Sequence, residues 1–135
     1  TEIYTLSLHD ALPICLGLPQ GRAHFLGRID AEALRTHYLA CDAVVYPTLC
    51  EGFGRVCLEA MALGAPIACS DLPVLREVAG NYPEYFDPAD PAAIAEAIVR
   101  AIGRGRQRPS RDARFALGPV SERFTSLMDG LLEHA

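Results

Sequence analysis

A chain of 135 residues is long enough to form one domain with a real hydrophobic core. Half of its residues are apolar and 21% are charged, which excludes a disordered chain, and a net charge of -5 gives no reason to expect nucleic acid as a partner. No apolar run approaches the ~20 residues that span a bilayer, so no transmembrane segment is expected, and no signal-peptide pattern is visible.

All twelve basic residues are Arg. The five cysteines (Cys15, Cys41, Cys50, Cys57 and Cys69) are odd in number and show no CxxC spacing. Most sit in apolar stretches, where a thiol behaves as a small hydrophobe. A reduced, cytoplasmic setting is expected, with no disulfide framework and no metal site.

Residues 1–14 (TEIYTLSLHDALPI) have no place in the rhythm that follows. They are similar to the translated read-through of a sequencing adapter, and are expected to be non-native and to take no part in a sheet. From Ala23 onward, short apolar strands alternate with amphipathic helices. Residues 23–26 read as a strand ending at Gly27. Asp30 caps a helix to about residue 40, with Leu34, Tyr38 and Cys41 on one face. Residues 43–46 form a continuous apolar run stopped by Pro47, the pattern of a strand buried on both faces.

A polar, glycine-bearing loop then leads to a helix over about residues 55–63, with Gly64 placed to end it and Pro66 beyond. Residues 67–69 are a third strand, 74–79 a short helix stopped at Gly80, and 85–86 a fourth strand. Asp90 and Pro91 start a helix that Gly103 is expected to close, its inner face formed by Ile94, Ala97, Ile98, Ala101 and Ile102. Residues 100–114 hold six Arg among Gly, Pro and Ser, and read as a solvated linker rather than a basic patch. Residues 120–132 fit a closing helix that uses Phe124, Leu127, Met128 and Leu131. The alternation implies an α/β fold, a Rossmann-like parallel sheet with helices on both faces. The expected organisation is a non-native segment at 1–14, a Rossmann-like domain over 15–118 and a C-terminal helix over 119–135.

The informative segment runs from Tyr46 to Ala62. In an open parallel sheet, ligands bind beyond the carboxyl ends of strands, where a loop such as 48–54 lies. Gly52 and Gly54 admit a ligand close to the backbone. The amides that open the next helix, at Arg55 and Val56, suit a diphosphate without any metal. Glu59 lies in an otherwise apolar helix turn, and its carboxylate needs partners. Vicinal ribose hydroxyls supply two donors; an Arg55–Glu59 surface pair is an equal alternative on spacing alone. Glu51, on the same terms, is more often an exposed turn residue than a ligand.

The spacing Glu51-x7-Glu59 around Gly52, Phe53 and Gly54 resembles the E-x7-E signature of family 4 retaining glycosyltransferases, which have the GT-B fold. Neighbouring segments resemble the family in the same order. They are His24 to Gly27; Tyr38, Ala40 and Asp42 through Pro47; Gly64 and Pro66; Ser70-Asp71; Leu75 and Glu77; and Phe86 through Pro91. The likeness spans roughly residues 16–102.

This resemblance implies the C-terminal, donor-binding half of a glycosyltransferase. Glu59 would hold the ribose hydroxyls of a nucleotide-sugar and Glu51 would act near the anomeric centre. Amides of Gly52, Phe53 and Gly54 would meet sugar hydroxyls, those of Arg55 and Val56 the diphosphate, and Gly27, Arg28 and Ile29 would line the base. No metal and no cofactor are implied, since no DxD motif is present. Front-face attack, with the leaving phosphate aiding proton removal, would retain the stereochemistry.

The family's diphosphate-binding Arg and Lys on an earlier loop, and its N-terminal domain with the acceptor site, have no counterpart in this sequence. A fragment inactive alone is therefore expected, from an enzyme that is cytoplasmic or peripheral to the inner membrane. The alternative reading is a stand-alone nucleotide- or nucleotide-sugar-binding module without catalysis. A third is a GT-B epimerase or phosphorylase. The last would need a pyridoxal-phosphate Lys, and the chain has no Lys.

Overall fold

The computed structural model describes residues 3–5 and 23–108. Along them run strands β1 (Ile3–Thr5), β2 (Ala23–Phe25), β3 (Val44–Tyr46), β4 (Ile67–Ser70) and β5 (Glu84–Phe86). The helices are α1 (Ala31–Ala40), α2 (Arg55–Leu63), α3 (Pro73–Ala79) and α4 (Pro91–Arg104). Strands β3, β4 and β5 form one parallel sheet in that order, with Val44 opposite Ile67 and Ser70 opposite Phe86.

All four residues of β4 are buried, and their alternation divides the core. Ile67 and Cys69 point into a cluster with Tyr38 of α1, Cys57, Ala60 and Met61 of α2, and Leu75 and Ala79 of α3. Ala68 points the other way, against Phe86 and against Ala97 and Ala101 of α4. Helices therefore cover both faces of a parallel sheet, as the sequence rhythm predicts.

Local signals set most element ends. Asp30 accepts a hydrogen bond from the Ala33 amide at 2.8 Å, and Asp90 accepts from Ala92 and Ala93 at 2.8 and 3.3 Å. Gly64 adopts φ +68° after α2, and its amide returns to the carbonyls of Ala60 and Met61. Helix α2 begins differently. Its N-cap is Gly54, at φ +90° and with no capping side chain. A Cβ there would stand 2.6 Å from Cδ2 of Leu75, which is completely buried on α3.

Four expectations need correction. First, residues 1–14 do supply a strand: Ile3–Thr5 pairs in parallel with β2, in a two-stranded sheet separate from the other. An Ile-Tyr-Thr run has high strand propensity, enough to pair with a neighbouring strand.

Second, β3 is not buried on both faces, because α4 packs on β4 and β5 and leaves Val45 36% exposed. Third, α4 runs past Gly103 to Arg104 with Gly105 as its cap, and Ile102 is exposed rather than facing the core.

Fourth, the start of the Arg-rich stretch is not a free linker, because its exposed arginines are bonded to the fold. Arg100 and Arg104 pair with Glu84. Arg106 donates to the carbonyls of Tyr38 and Leu63 at 3.1 and 2.7 Å, holding the C-terminal ends of α1 and α2 together. The expected helix at 120–132 lies outside the described residues.

Gly54 gives the sharpest test of this packing. Gly54→Ala combines a left-handed backbone, unfavourable by roughly 1–2 kcal/mol for an L side chain, with the clash against Leu75. Thermal denaturation should show a clear fall in midpoint, whereas Gly52→Ala, where an added Cβ meets nothing within 4 Å, should shift it far less.

Candidate functional site

Strand β3 ends at Tyr46, so the loop over residues 47–54 lies beyond its carboxyl end, and α2 opens directly behind it. The Thr48 hydroxyl donates to the Cys50 carbonyl at 2.8 Å, tightening the approach to Glu51.

The Glu51 carboxylate turns back on its own loop. Oε1 accepts from the amides of Gly52 and Phe53 at 2.9 and 3.0 Å, and Oε2 accepts from the Tyr46 hydroxyl. These bonds all favour the charged form, so Glu51 titrates well below its ordinary 4.5, at about 2, with Tyr46 the largest cause. Burial, and then the bond to Glu51, push Tyr46 up to about 12. The amides of Gly52 and Phe53, expected from the resemblance to meet sugar hydroxyls, are thus engaged by Glu51 in this structure.

At the start of α2, the amides of Cys57 and Leu58 donate to the Gly54 carbonyl at 3.0 and 3.4 Å. The first amides, Arg55 and Val56, have no acceptor within the helix. No capping side chain and no acidic residue of the first turn competes for them. The positive end of α2 therefore lies at the loop that carries Glu51. Helices α1 and α4 have Asp caps in this position.

Glu59 lies one turn further on, its side chain 32% exposed. Oε1 accepts from Arg55 Nη2 at 3.1 Å, so the surface pair is formed. Oε2 accepts from the hydroxyl of Tyr38, on α1, at 3.0 Å. That second partner was not anticipated. Tyr38 is 21 residues away, and the only signal for it was a tyrosine on a buried helix face, whose hydroxyl needs a partner.

The remaining candidates are placed less closely. Gly27 turns at φ +60° after β2, with Arg28 exposed and Ile29 half-buried. Because β2 belongs to the separate two-stranded sheet, strand pairing does not join these residues to the loop after β3.

At the carboxyl end of β4 lies a cluster to which the sequence assigned no role. Arg76 holds Asp71 through two nitrogens and lies 4.4 Å from the centre of the Tyr85 ring. The Tyr85 hydroxyl in turn donates to the carbonyls of Leu75 and Gly80. Beneath the loop, Cys57 and Cys69 are buried together as free thiols, and their mutual hydrogen bond and burial push Cys69 up. Among the described residues, no group of His, Cys, Asp or Glu is placed to hold a metal ion, and no helix is long and apolar enough to cross a membrane.

A parallel α/β layer with a glycine loop beyond one strand and an uncapped helix behind it is the arrangement in which open-sheet α/β proteins bind ligands. The family of glycosyl transferases group 1 matches residues 18–114, and the chain belongs to that family. It is 37% identical over 98 residues to O-antigen chain mannosyltransferase B of Escherichia coli, covering 73% of this chain and 26% of that protein. It is 39% identical over 91 residues to the O-antigen chain mannosyltransferase RfbU of Salmonella typhimurium, covering 67% and 25%. Similarity to a D-inositol 3-phosphate glycosyltransferase of Geodermatophilus obscurus is 38% over 102 residues, covering 72% and 22%. The chain thus spans about a quarter of the length of these curated relatives.

The pH behaviour of Glu51 follows from its partners. Its folded-state value is depressed, so its contribution to loop order is complete above about pH 4.5 and is lost as pH falls through about 2. Carboxyl-carbon NMR should give that low midpoint in the native chain, and Tyr46→Phe should raise it. A midpoint at the ordinary value in the native chain would show that the carboxylate does not cap its loop.

Proposed function

We propose that this chain forms the donor-binding side of a family 4, GT-B-fold glycosyltransferase that transfers a sugar from a nucleotide-sugar with retention of configuration. The observation that carries the reading is the uncapped start of α2. It lies immediately behind Glu51, with Glu59 one turn on, inside the region that matches the family.

The diphosphate sits at the Arg55 and Val56 amides, whose aligned dipoles stabilise its charge without a metal. Glu59 accepts the ribose hydroxyls through lone pairs that Tyr38 and Arg55 leave open. The exposed Arg55 side chain gives way as the ribose enters. Glu51 lies next to the transferred sugar. When sugar hydroxyls approach, they take over acceptor and donor positions now shared between Glu51 and the amides of Gly52, Phe53 and Gly54. Gly27, Arg28 and Ile29 lie along the base. The names of the Escherichia coli and Salmonella relatives make mannose the first sugar to test. The chain alone supplies one side of the reaction and gives no transfer, and its cellular setting is the cytoplasm or the periphery of the inner membrane.

The test combines donor binding and turnover. In the enzyme that contains this chain, Glu59→Gln keeps the side-chain shape and removes the charge. Loss of charge-assisted bonds should weaken donor binding by about 1–3 kcal/mol with little change in thermal midpoint. Unchanged donor affinity would leave the Arg55–Glu59 pair as the whole role of Glu59. Turnover by the isolated chain would contradict the assignment of a donor side only.

A further inference from the structure

Glu59 has two partners of very different kinds. Arg55 is long and its side chain is 82% exposed, so the pair is easily displaced and contributes little to holding the carboxylate. Tyr38 is only 5% exposed, and its ring is packed in the core among residues of α2, α3 and β4. Its own carbonyl accepts from Arg106 Nη1 at 3.1 Å and from the Cys41 thiol at 3.5 Å, so the α1 turn that carries it is held as well.

We propose that Tyr38 is a positioning residue of the nucleotide-sugar site: its hydroxyl, 3.0 Å from Oε2, holds the Glu59 carboxylate in the orientation that receives a ribose. The inference rests on the reading of Glu59 as the ribose ligand.

The chemistry favours a phenol in this place. A glutamate side chain has three rotatable bonds, and freezing them when the ligand arrives would reduce affinity. A rigid donor freezes them beforehand. The phenol gives one proton and takes one lone pair, so the carboxylate keeps sites for two vicinal hydroxyls. Being neutral, the phenol also leaves the carboxylate's charge intact, and that charge strengthens the bonds to ribose. A guanidinium in the same buried position would cancel it. Burial first, and the neighbouring Glu59 charge second, push the Tyr38 hydroxyl well above its ordinary range, so it remains a donor at every working pH.

The test uses the 135-residue chain with Tyr38→Phe, which keeps the ring and removes only the hydroxyl. NMR titrations with GDP and UDP, each against its 2′-deoxy counterpart, give the ribose preference. Loss of the hydroxyl should reduce that preference by about tenfold or more, in line with one bond to a charged group. In the Glu59→Gln background the same substitution should change it no further.

If Glu59→Gln leaves the preference intact, or the native chain binds neither nucleotide, the ribose reading itself fails and the proposal falls with it. If Glu59→Gln abolishes the preference while Tyr38→Phe retains it, only the positioning role fails. A ligand-free measurement accompanies these. Scalar couplings along the Glu59 side chain should report one rotamer in the native chain and averaging in Tyr38→Phe. Couplings unchanged by the substitution would overturn the proposal.

Discussion

The contact between Gly54 and Leu75 is the constraint on which the site depends. A buried leucine from α3 occupies the space that a Cβ at position 54 would fill. This close approach lets α3 pack on α2 and fixes where the loop after β3 must turn into the helix. A glycine N-cap also has no side chain to offer, so the first amides of α2 keep their donors open. The packing and the uncapped helix start thus follow from the same missing atom.

Around that start, each carboxylate has a neutral partner, beside the exposed Arg55 that also pairs with Glu59. Each glutamate of the pair receives a tyrosine hydroxyl, Glu51 from the end of β3 and Glu59 from α1. Phenols hold the carboxylates without neutralising them. Glu51 is further tied to two amides of its own loop, which keeps it ionised and shapes the loop.

Local signals in the sequence were legible where the physics is local. The caps at Asp30 and Asp90 and the stop at Gly64 depend only on near neighbours, and the structure has them where the sequence puts them. The loop of the site was legible for the same reason, since a glycine loop between an apolar strand and an apolar helix has one natural place in a parallel sheet. What could not be read are partners distant along the chain. Arg106 reaches the Tyr38 carbonyl across 68 residues, and Glu84 meets Arg100 across 16. Exposure of Val45 depends on which strands α4 happens to cover. Glu51 is the instructive case. Its bonds are to Tyr46 and to the next two residues, but a pattern taken from a family resemblance directs attention to the sugar rather than to the loop itself.

The open start of α2 is the proposed diphosphate site. It is tested most directly by amide NMR of the chain titrated with inorganic pyrophosphate. The largest shifts should fall on the Arg55 and Val56 amides and spread to Gly52 and Phe53, while the Asp-capped starts of α1 and α4 stay still. Shifts at 55 and 56 no larger than those at the two capped helices would contradict the account.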